Sequence, residues 1–521
     1  MKNITLLKAK VGILAVSCLS ITALFACVDK DARSDLNPNL PTDQAQNGDF
    51  GDQGGGSEQG LNFPVFDDGV LAFPGAEGYG KNVTGARAGE GREIYHVTNL
   101  NDAGPGSFRD AVSKPWRIIV FDVSGVIKLS SNPIVLKSNQ TILGHTAPGD
   151  GIVLYNGRVS ASGAQNLIVR YLRIRMGAAY PSGLDACGIA NGANMIFDHC
   201  SMTWGKDECF SINPGGKGTA PKNITIQNSI IGQGLQNHSC GGLMQTDISN
   251  GCTIFRNLYI DNKTRNPKVK GLNQFVNNVV YNWGSGAAYN MSGDSQGKSE
   301  TTIENNYFIV GPCHNWQNVA QPDGSIKTEY VPMNPARPFT GGNGNFNTYC
   351  KGNYYDNNKD GALDGVEITE TNWSQYCSGS PVFLEARSDL HPIIRSQKSA
   401  QEAYEWVVEK VGAYLPVRDE VDKYLMDELI SLGRKGTIIQ DERKAEQFPL
   451  GGPGTINAAQ KPLDSDNDGM PDAFEDAWGL DKYDSTDAVK EAKNGYLNIE
   501  NYALSLEYPD EYEYELNKNK Q

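Results

Sequence analysis

Short apolar runs, each interrupted by a polar residue, recur along the middle of the chain. The runs "LIVRYLRIRMG", "MIFDHCSMTWG", "ITIQNSIIGQG", "TIFRNLYIDN", "QFVNNVVYNW" and "TIENNYFIV" align with steps of 28, 29, 29, 21 and 28 residues. The aligned polar positions are Tyr171, His199, Asn228, Asn257, Asn278 and Asn306. One unit of this length cannot bury its own apolar face, so neighbouring units must stack.

This repeat predicts an all-β fold, a right-handed parallel β-helix of roughly eight to ten coils between about residues 70 and 345. Stacked coils bring the asparagines into register, where their side-chain amides can form a hydrogen-bonded ladder. A β-propeller needs longer repeats of about 40–45 residues. A β-sandwich does not produce a regular ladder position.

The pattern changes after the repeats, and the chain divides accordingly. Residues 397–435 have apolar residues at helical spacing, with Pro416 between two predicted amphipathic helices that pack on the barrel or cap its end. The predicted segments are a leader at 1–27, a polar tether at 28–62, the repeats at 63–345, an extension at 346–435, a linker at 436–463 and an acidic tail at 464–521.

The N-terminus has the layout of an export signal, with lysines before the apolar run "VGILAVSCLSITALFAC". The run is slightly short to span a bilayer, although a transmembrane anchor is the alternative. It ends in "LFAC", which resembles a bacterial lipobox in which Cys27 is lipidated. The sequence therefore predicts an exported protein, either an outer-membrane lipoprotein at the cell surface or a secreted form.

Composition agrees with a turn-rich β protein, because the 521 residues include 58 glycines and only 21% are charged. The formal net charge of −15 argues against nucleic-acid binding, which needs a basic face. We expect a monomer. Against this background "DNKTRNPKVKG" concentrates four cations, Lys263, Arg265, Lys268 and Lys270. The cluster is either a solvated face or a groove for carboxylates, which Arg and Lys pair with well.

Two stretches have the spacing of an EF-hand-type calcium loop, in which oxygen ligands alternate and a carboxylate stands at position 12. In "DNNKDGALDGVE" the ligand positions hold Asp356, Asn358, Asp360, Ala362 through its backbone carbonyl, Asp364 and Glu367. In "DSDNDGMPDAFE" they hold Asp464, Asp466, Asp468, Met470 through its carbonyl, Asp472 and Glu475. The alternative is a polar surface turn. We expect both calcium ions to be structural.

A group of acids precedes the cation cluster. Asp185 and Asp207 are 22 residues apart, less than one coil step, so they can lie on neighbouring coils of one face. Carboxylates placed together repel one another unless a cation lies between them. Asp198 and His199 fall at the ladder position, which favours internal stacking over catalysis.

Several longer motifs resemble one known family. These motifs are "AFPGAEGYG", "IYHVTNLND", "GSFRDAV", "DHCSMTWGKDE", "HSCGGLMQT" and "TRNPKVKG". They resemble the pectate lyases of polysaccharide lyase family one, and most of all the secreted branch called pectate lyase C. The resemblance runs from about residue 72 to 435. It implies a parallel β-helix, dependence on Ca²⁺ and β-elimination of pectate, the acidic polymer of galacturonate.

The resemblance also implies roles for single residues. Arg265 matches the arginine proposed as the base, while Lys268 and Lys270 fall in the substrate-binding part of the same element. Lys270 replaces a second arginine and offers a point charge instead of a bidentate fork. Asp185 and Asp207 match two calcium ligands.

The chain departs from the family pattern at two positions. The third acid of the family's calcium site is Ser211 here, and we expect Glu208 to substitute for it. A lysine usual in the family is Cys240 here. These departures motivate one alternative, a surface pectin-binding protein without catalysis. A β-helix polygalacturonase is the other, but it needs paired catalytic acids, and the adjacent pair Asp67–Asp68 precedes the repeats.

Overall fold

The structure is a computed structural model that describes Leu61 and residues 69–130, 132–214, 219–284, 288–292, 297–335 and 337–519. The predicted leader, including Cys27, and nearly all of the predicted tether lie outside these residues.

Three long parallel sheets form the body of the molecule. The first contains Glu93–Val97, Arg117–Phe121, Gln140–Leu143, Gln165–Arg170, Ala193–Asp198, Lys222–Gln227, Cys252–Phe255, Leu272–Val276, Ser299–Glu304, Phe346–Lys351 and Val382–Phe383. The second contains Gly125–Lys128, Ile152–Tyr155, Arg173–Arg175, Ser201–Thr203, Ile230–Gly232, Leu258–Ile260, Val279–Tyr281, Tyr307–Ile309, Asn353–Asp356 and Val366–Ile368. The third contains Ile134–Val135, Val159–Ser160, Cys187–Ile189, Phe210–Ile212, Leu243–Gln245, Lys268–Lys270, Tyr289–Met291 and Phe339–Gly341.

Most turns of the chain contribute one strand to each sheet, and neighbours within a sheet generally come from successive turns, except that Val366–Ile368 forms an antiparallel pair with Asn353–Asp356. For example, Ala193–Asp198 pairs in parallel with Gln165–Arg170 on one side and with Lys222–Gln227 on the other. This arrangement is a parallel β-helix and confirms the predicted fold class. Crossovers between parallel strands are right-handed in about 98% of proteins, which gives the predicted hand.

Alternating side chains fill the interior of the coil. Leu167, Met195, Ile224 and Cys252 occupy equivalent positions on four successive coils and are all fully buried. Within each strand, the residues on either side of these positions point outward, because successive side chains of a strand face opposite sides. Each fully buried aliphatic side chain contributes about 1.5–3 kcal/mol to folding, so the stack of coils is the main source of stability.

The asparagine ladder exists and extends further than the repeats indicated. Asn257 donates to Asn278 Oδ1 (3.1 Å), Asn278 donates to Asn306 Oδ1 (3.1 Å), and Asn306 donates to Asn353 Oδ1 (2.8 Å). All four side chains are buried. Because backbone amides donate to the same oxygens, the ladder fixes the turn between the first and second sheets.

The alignment of the earlier repeats is wrong by one residue. Ser229, not Asn228, precedes Asn257 in the ladder, since the Ser229 N–H donates to Asn257 Oδ1 (2.9 Å). Asn228 has φ of 56°, as Tyr171 (57°) and His199 (49°) also have a positive φ. These three residues share a left-handed turn position, which asparagine tolerates well. An asparagine is therefore favoured at two adjacent positions, and the sequence alone does not separate them.

The β-helix also continues past the predicted boundary at 345. Phe346–Lys351 pairs in parallel with Ser299–Glu304, and Asn353–Asp356 pairs in parallel with Tyr307–Ile309. A further antiparallel hairpin, His314–Ala320 with Ile326–Pro332, extends from the body and pairs with Thr437–Ile438. Its insertion lengthens one coil, which explains why the repeat pattern faded there.

Helices cover the outside of the coil. They are Phe108–Ala111, Trp373–Tyr376, Ala400–Lys410, Glu420–Ile430, Asp472–Trp478, Asn498–Glu507 and Pro509–Asn519, with short 3₁₀ turns at Gly78–Gly80 and Gly144–Thr146. Ala400–Lys410 and Glu420–Ile430 are the two predicted amphipathic helices. Val407 and Leu429 pack with Ile230 of the second sheet.

The predicted acidic tail is a folded part of the molecule. Helix Asn498–Glu507 is largely buried, and Ile499 and Leu504 pack in one cluster with Ile118 and Val120 of the first sheet. No helix in the described part of the chain combines the length and the apolarity that crossing a bilayer requires.

Candidate active site

The cation cluster lies on the outer face of the third sheet. Lys268 and Lys270 belong to strand Lys268–Lys270, whose middle residue Val269 is fully buried. The two lysines therefore point outward together. Arg265 precedes the strand and has φ of 57°, a turn conformation. The sequence prediction that these cations share one edge of a coil agrees with this placement.

Three carboxylates meet beside Arg265, and we call Asp185, Asp207 and Glu208 the groove acids. They precede strands Cys187–Ile189 and Phe210–Ile212, which pair in parallel in the third sheet. One oxygen from each groove acid lies within 4.8 Å of those of the other two. The Glu208 N–H also donates to Asp185 Oδ1 (3.2 Å). Stacking of adjacent coils thus brings together acids that are distant in sequence.

Arg265 is the nearest cation to the groove acids. Its Nη1 contacts Glu208 Oε1 and lies 4.0 Å from Asp207 Oδ1. His238 Nε2 lies 2.9 Å from the same Asp207 oxygen. Cys240 is 1% exposed and forms backbone bridges with Glu208 on one side and Thr264 on the other. The cysteine therefore joins the strand carrying the acids to the segment carrying Arg265.

The electrostatics of the groove acids show mutual repulsion. Burial, together with the neighbouring Asp185 carboxyl, raises the pKa of Glu208 to about 8. Burial is also the main reason that the pKa of Asp185 is raised. Burial alone disfavours the charge on Arg265, but Cys240, Glu208 and Asp207 together raise the pKa of its guanidinium. The cluster therefore favours an added positive charge.

The groove acids suit a calcium ion, which takes carboxylate oxygens as ligands. Glu208 is 3% exposed and occupies the place next to Asp185 and Asp207 that a third acid needs. Ser211 lies further along the strand, paired with Gly188. The expected substitution of Glu208 for the family's third acid is consistent with this geometry.

Asp198 and His199 form a separate buried group. The His199 ring stacks on Tyr171, with ring centres 4.8 Å apart and planes 5° apart. Arg170 donates to Asp198 (2.8 Å) and to Glu507 (2.8 Å). Arg170 therefore links Asp198 to helix Asn498–Glu507, and the stacking of His199 on Tyr171 agrees with the preference for stacking over catalysis.

The first twelve-residue loop, 356–367, lies between two antiparallel strands, Asn353–Asp356 and Val366–Ile368. Asp356 is 4% exposed, and one of its oxygens has no hydrogen-bond partner. Glu367 is exposed and lies within the second strand.

Other ligand positions of this loop bond to one another. Asn358 donates to Asp364 Oδ1 (2.8 Å), and Asp360 Oδ1 accepts the Ala362 N–H (2.8 Å). In the described part of the chain, no group of three acids from this loop comes within metal-binding distance. Glu367, at position 12, belongs to no such group and is exposed in its strand.

The second twelve-residue loop is different, because helix Asp472–Trp478 carries Glu475 back towards the other ligands. Asp464, Asp466 and Asp468 converge within 4.8 Å, and so do Asp468, Glu475 and Asp487. We call these five residues the C-terminal acids. Met470 is fully buried, and its N–H donates to Asp468 Oδ1 (2.8 Å), the same turn bond that Ala362 makes to Asp360 in the first loop.

Several carboxylate oxygens of the C-terminal acids are buried and have no hydrogen-bond partner among the described residues. Both oxygens of Glu475 and of Asp466, and one each of Asp468 and Asp487, are buried without hydrogen-bond partners. Burial and the neighbouring acids raise the pKa of Glu475 to about 8 and that of Asp468 to about 7. Buried polar atoms are normally satisfied, so these oxygens fit a bound cation.

Three residues of these sites escaped sequence reasoning. Asp487 lies twelve residues after the second loop, where no ligand spacing predicts it. His238 stands in "QNHSCGG" without a partner motif. Arg158 follows the strand Ile152–Tyr155 and lines a cavity that includes Asp185. Its only sequence signal is a lone cation at the start of a short strand.

The chain is similar in sequence to known proteins. Residues 74–349 match a family model described as Pectate lyase. The chain is 49% identical over 437 residues to "Probable pectate lyase C" of Aspergillus fumigatus, covering 84% of this chain and 94% of that protein. It is 47% identical over 448 residues to "Probable pectate lyase C" of Aspergillus flavus, covering 86% of this chain and 96% of that protein.

Solved structures of similar proteins were also found. One is pectate lyase C from Erwinia chrysanthemi, with 16% identity and a TM-score of 0.36, covering 66% of this chain and 98% of that one. Another is the thermostable pectate lyase PL 47, with 14% identity and a TM-score of 0.44, covering 66% of this chain and 98% of that one.

Proposed function

This chain belongs to the pectate lyase family and is a polysaccharide lyase, and we propose that it is a calcium-dependent pectate lyase. It cleaves (1→4)-α-D-galacturonan by β-elimination and leaves 4,5-unsaturated oligogalacturonides. The observation that carries the proposal is the convergence of the groove acids with Arg265, on the same sheet face as Lys268 and Lys270.

The chemistry explains why cations gather on an acidic protein. β-Elimination removes the proton at C5, next to the sugar carboxylate, and expels the oxygen at C4. Removing that proton adds negative charge to a group that is already an anion. The site must therefore stabilise developing negative charge, which is where preorganised cations contribute most.

The groove acids Asp185, Asp207 and Glu208 are the residues that hold Ca²⁺ in this proposal. Ca²⁺ held by these residues would supply positive charge beside the sugar carboxylate, which would lower the cost of removing the C5 proton. The raised pKa of Glu208 supports this role, because burial and the neighbouring Asp185 carboxyl make its negative charge unfavourable unless a further cation is present.

Arg265 takes the C5 proton in this proposal. Arginine is normally protonated far above neutral pH, and the groove acids raise its pKa further. The carboxylates that keep Arg265 protonated are the same ones that would hold Ca²⁺. When their charge is shared with a cation, they favour the protonated guanidinium less. We therefore expect an alkaline optimum.

Lys268 and Lys270 bind carboxylates of neighbouring sugars. Both point from the strand towards the groove, and each supplies a compact charge that a flexible chain can approach from several directions. The loss of the second arginine fork at Lys270 makes this contact less directional.

We propose that the two twelve-residue loops also hold Ca²⁺, with a structural role. The candidate ligands of the first loop are Asp356, Asn358, Asp360 and the Ala362 carbonyl, whereas Glu367, the expected ligand at position 12, lies exposed in strand Val366–Ile368. The ligands of the second are Asp464, Asp466, Asp468, the Met470 carbonyl, Glu475 and the added Asp487. Exported proteins meet millimolar calcium, so even sites with dissociation constants of about 10⁻⁴ M would be filled.

The same proposal covers location and partners. The protein is exported and held at the outer membrane by a lipid on Cys27, facing the cell surface, or it is secreted. It acts as a monomer on pectate, and its acidic surface gives no basis for binding nucleic acid.

One assay separates this function from its alternatives. A lyase makes a conjugated double bond that absorbs ultraviolet light, whereas a polygalacturonase makes saturated ends and a pectin-binding protein makes no ends. The departures at Ser211 and Cys240 are the reason to keep the binding protein as an alternative. Purified protein with polygalacturonate and Ca²⁺ should produce absorbing product. Binding without any new chain ends would instead support the non-catalytic alternative.

A further inference from the structure

The groove continues on the side of the groove acids away from Lys268 and Lys270. A cavity of about 380 Å³ opens there on the outer face of the third sheet. It is lined in part by Arg158, Ser160, Ser162 and Ser211, and it shares Asp185 with the groove acids. Neither the metal site nor the lysine cluster uses these polar residues.

The floor of this cavity is flat because its residues are small. Ser160, Gly188 and Ser211 occupy equivalent positions on three paired strands of the third sheet. The row continues through Leu243 to Lys268, so the cavity and the lysine cluster lie along one groove. A Cβ atom added at Gly188 would lie only 3.3 Å from Asp185 Oδ2.

Ser211 points to a ligand in this cavity. The residue is 3% exposed, and its hydroxyl has no hydrogen-bond partner among the described residues. Buried hydroxyls are normally paired. A sugar hydroxyl in the cavity would supply the missing partner.

Arg158 is the cation of the cavity. Its Nη2 lies 3.7 Å from the position of a Cβ on Gly188, so the guanidinium and the Asp185 carboxylate flank the same point. Its charge acts on the Asp185 carboxyl and offsets part of the rise in that group's pKa, but its Nε is buried without a hydrogen-bond partner among the described residues. A guanidinium whose buried Nε lacks a hydrogen-bond partner, placed beside a polar cavity, fits a planar carboxylate through two parallel hydrogen bonds.

We propose that Arg158 binds the carboxylate of a uronate residue in a further sugar subsite, on the opposite side of the groove acids from Lys268 and Lys270. Ser211 and Ser160 face the hydroxyls of the same sugar. The subsite rests on the proposed function, since an acidic polysaccharide supplies a carboxylate on every sugar.

The spacing of the strands makes this subsite selective for chain length. Four strand intervals separate Val159–Ser160 from Lys268–Lys270, which corresponds to about 19 Å at ~4.8 Å per interval. A short oligomer that runs from the lysines and ends over the groove acids does not reach Arg158, whereas a long chain that continues past Asp185 does. Arg158 should therefore contribute to long substrates and not to the shortest ones cleaved.

The test compares Arg158→Gln with the parent enzyme on long polygalacturonate and on the shortest oligogalacturonide that is cleaved. We expect kcat/KM on the long chain to fall about 10-fold or more, the effect of losing a charge-assisted hydrogen-bonded pair. The short substrate should be cleaved at the parent rate. Lys128→Gln, which removes an exposed cation on the second sheet, is the control for net charge and should change neither value.

A binding measurement separates this proposal from the proposed function. Retention of the protein in gels containing polygalacturonate reports affinity without turnover, and Arg158→Gln should be retained less than the parent and Lys128→Gln. If the parent makes no unsaturated product but Arg158→Gln still loses retention, the lyase function fails and the subsite stands. If Arg158→Gln keeps full retention, or slows short and long substrates alike, the subsite proposal is overturned.

Discussion

The groove acids and the C-terminal acids are two carboxylate clusters with the same chemistry and different surroundings. The groove acids have Arg265 in contact with Glu208, and the Asp207 side chain is 33% exposed. The C-terminal acids enclose Glu475, which is fully buried, with both oxygens unpaired. Lys461 lies 3.4 Å from Asp464, but Glu475 has no such partner among the described residues. An open cluster with its own cation suits a reacting substrate, whereas a closed one suits a permanently bound ion.

The largest effect should come from the cation of the open cluster. Arg265→Lys keeps the charge but moves the nitrogens that would take the C5 proton. We expect kcat to fall by at least about 10²-fold, the low end for a positioned general base, with KM nearly unchanged. Steady-state kinetics over a range of pH measure this. Near-normal kcat at every pH would mean that Arg265 only binds substrate. As a control, the thermal stability of the Arg265→Lys variant in Ca²⁺ should match that of the parent in either case.

The closed cluster should show the opposite pattern. Glu475→Gln removes a buried ligand, so we expect the protein to lose most of its stabilisation by Ca²⁺ while kcat at low temperature is retained. Stabilisation by a bound ion is about 2.7 kcal/mol at a concentration 100 times its dissociation constant. Thermal unfolding with and without chelator measures the loss.

Glu367→Gln is the matched control, since it makes the same change at position 12 of the first loop, where the side chain is exposed. Equal losses of calcium stabilisation in both variants would contradict the contrast between the two loops.

Without calcium, the two clusters should make stability depend on pH. The pKa of Glu475 is raised from 4.5 to about 8, and that of Glu208 is raised equally. The folded state therefore binds protons more tightly than the unfolded state. In chelator, the free energy of unfolding should fall as pH rises from about 4.5 to about 8, and Ca²⁺ should weaken the dependence. Urea unfolding across this range tests it, and Glu475→Gln should reduce the slope. A slope that Ca²⁺ leaves unchanged would argue against cation binding at these acids.

A smaller effect is expected at the edge of the open cluster. Lys270→Ala removes attraction to a polyanion in the ground state, so KM for long pectate should rise and kcat should change little. The difference from the parent should shrink at high salt, because exposed charges are screened. A fall in kcat at saturating substrate would place Lys270 in the transition state instead.

The repeat made the β-helix predictable, because a unit that cannot bury its own face must stack on its neighbours. The same stacking made it possible to predict that Asp185 and Asp207 meet. The register of the ladder could not be read, since asparagine is favoured both at the left-handed turn of Asn228 and at the buried position after it. The spacing of residues in the sequence predicts local geometry well, but it does not determine the register where two neighbouring positions favour the same residue type.

The remaining residues of the sites could not be predicted, for reasons that differ between them. The two twelve-residue loops have equivalent spacing, but a helix returns Glu475 to the ligands of the second loop, whereas a strand leaves Glu367 of the first loop exposed. Asp487 and Arg158 belong to no motif. Both residues reach their sites only because segments distant in sequence pack together. A lone charged residue in a sequence does not indicate which segment it will contact.

The most direct test of the central claim is the rate of unsaturated product formation from polygalacturonate as free Ca²⁺ is varied, for the parent, Asp207→Ala and Glu475→Gln. If Ca²⁺ acts at the groove acids, Asp207→Ala should need a much higher Ca²⁺ concentration for half-maximal rate. Glu475→Gln should keep the parent's dependence at a temperature where it stays folded. If Asp207→Ala keeps the parent's calcium dependence, or if the parent forms the product equally well in chelator, the groove acids are not the site of catalytic calcium.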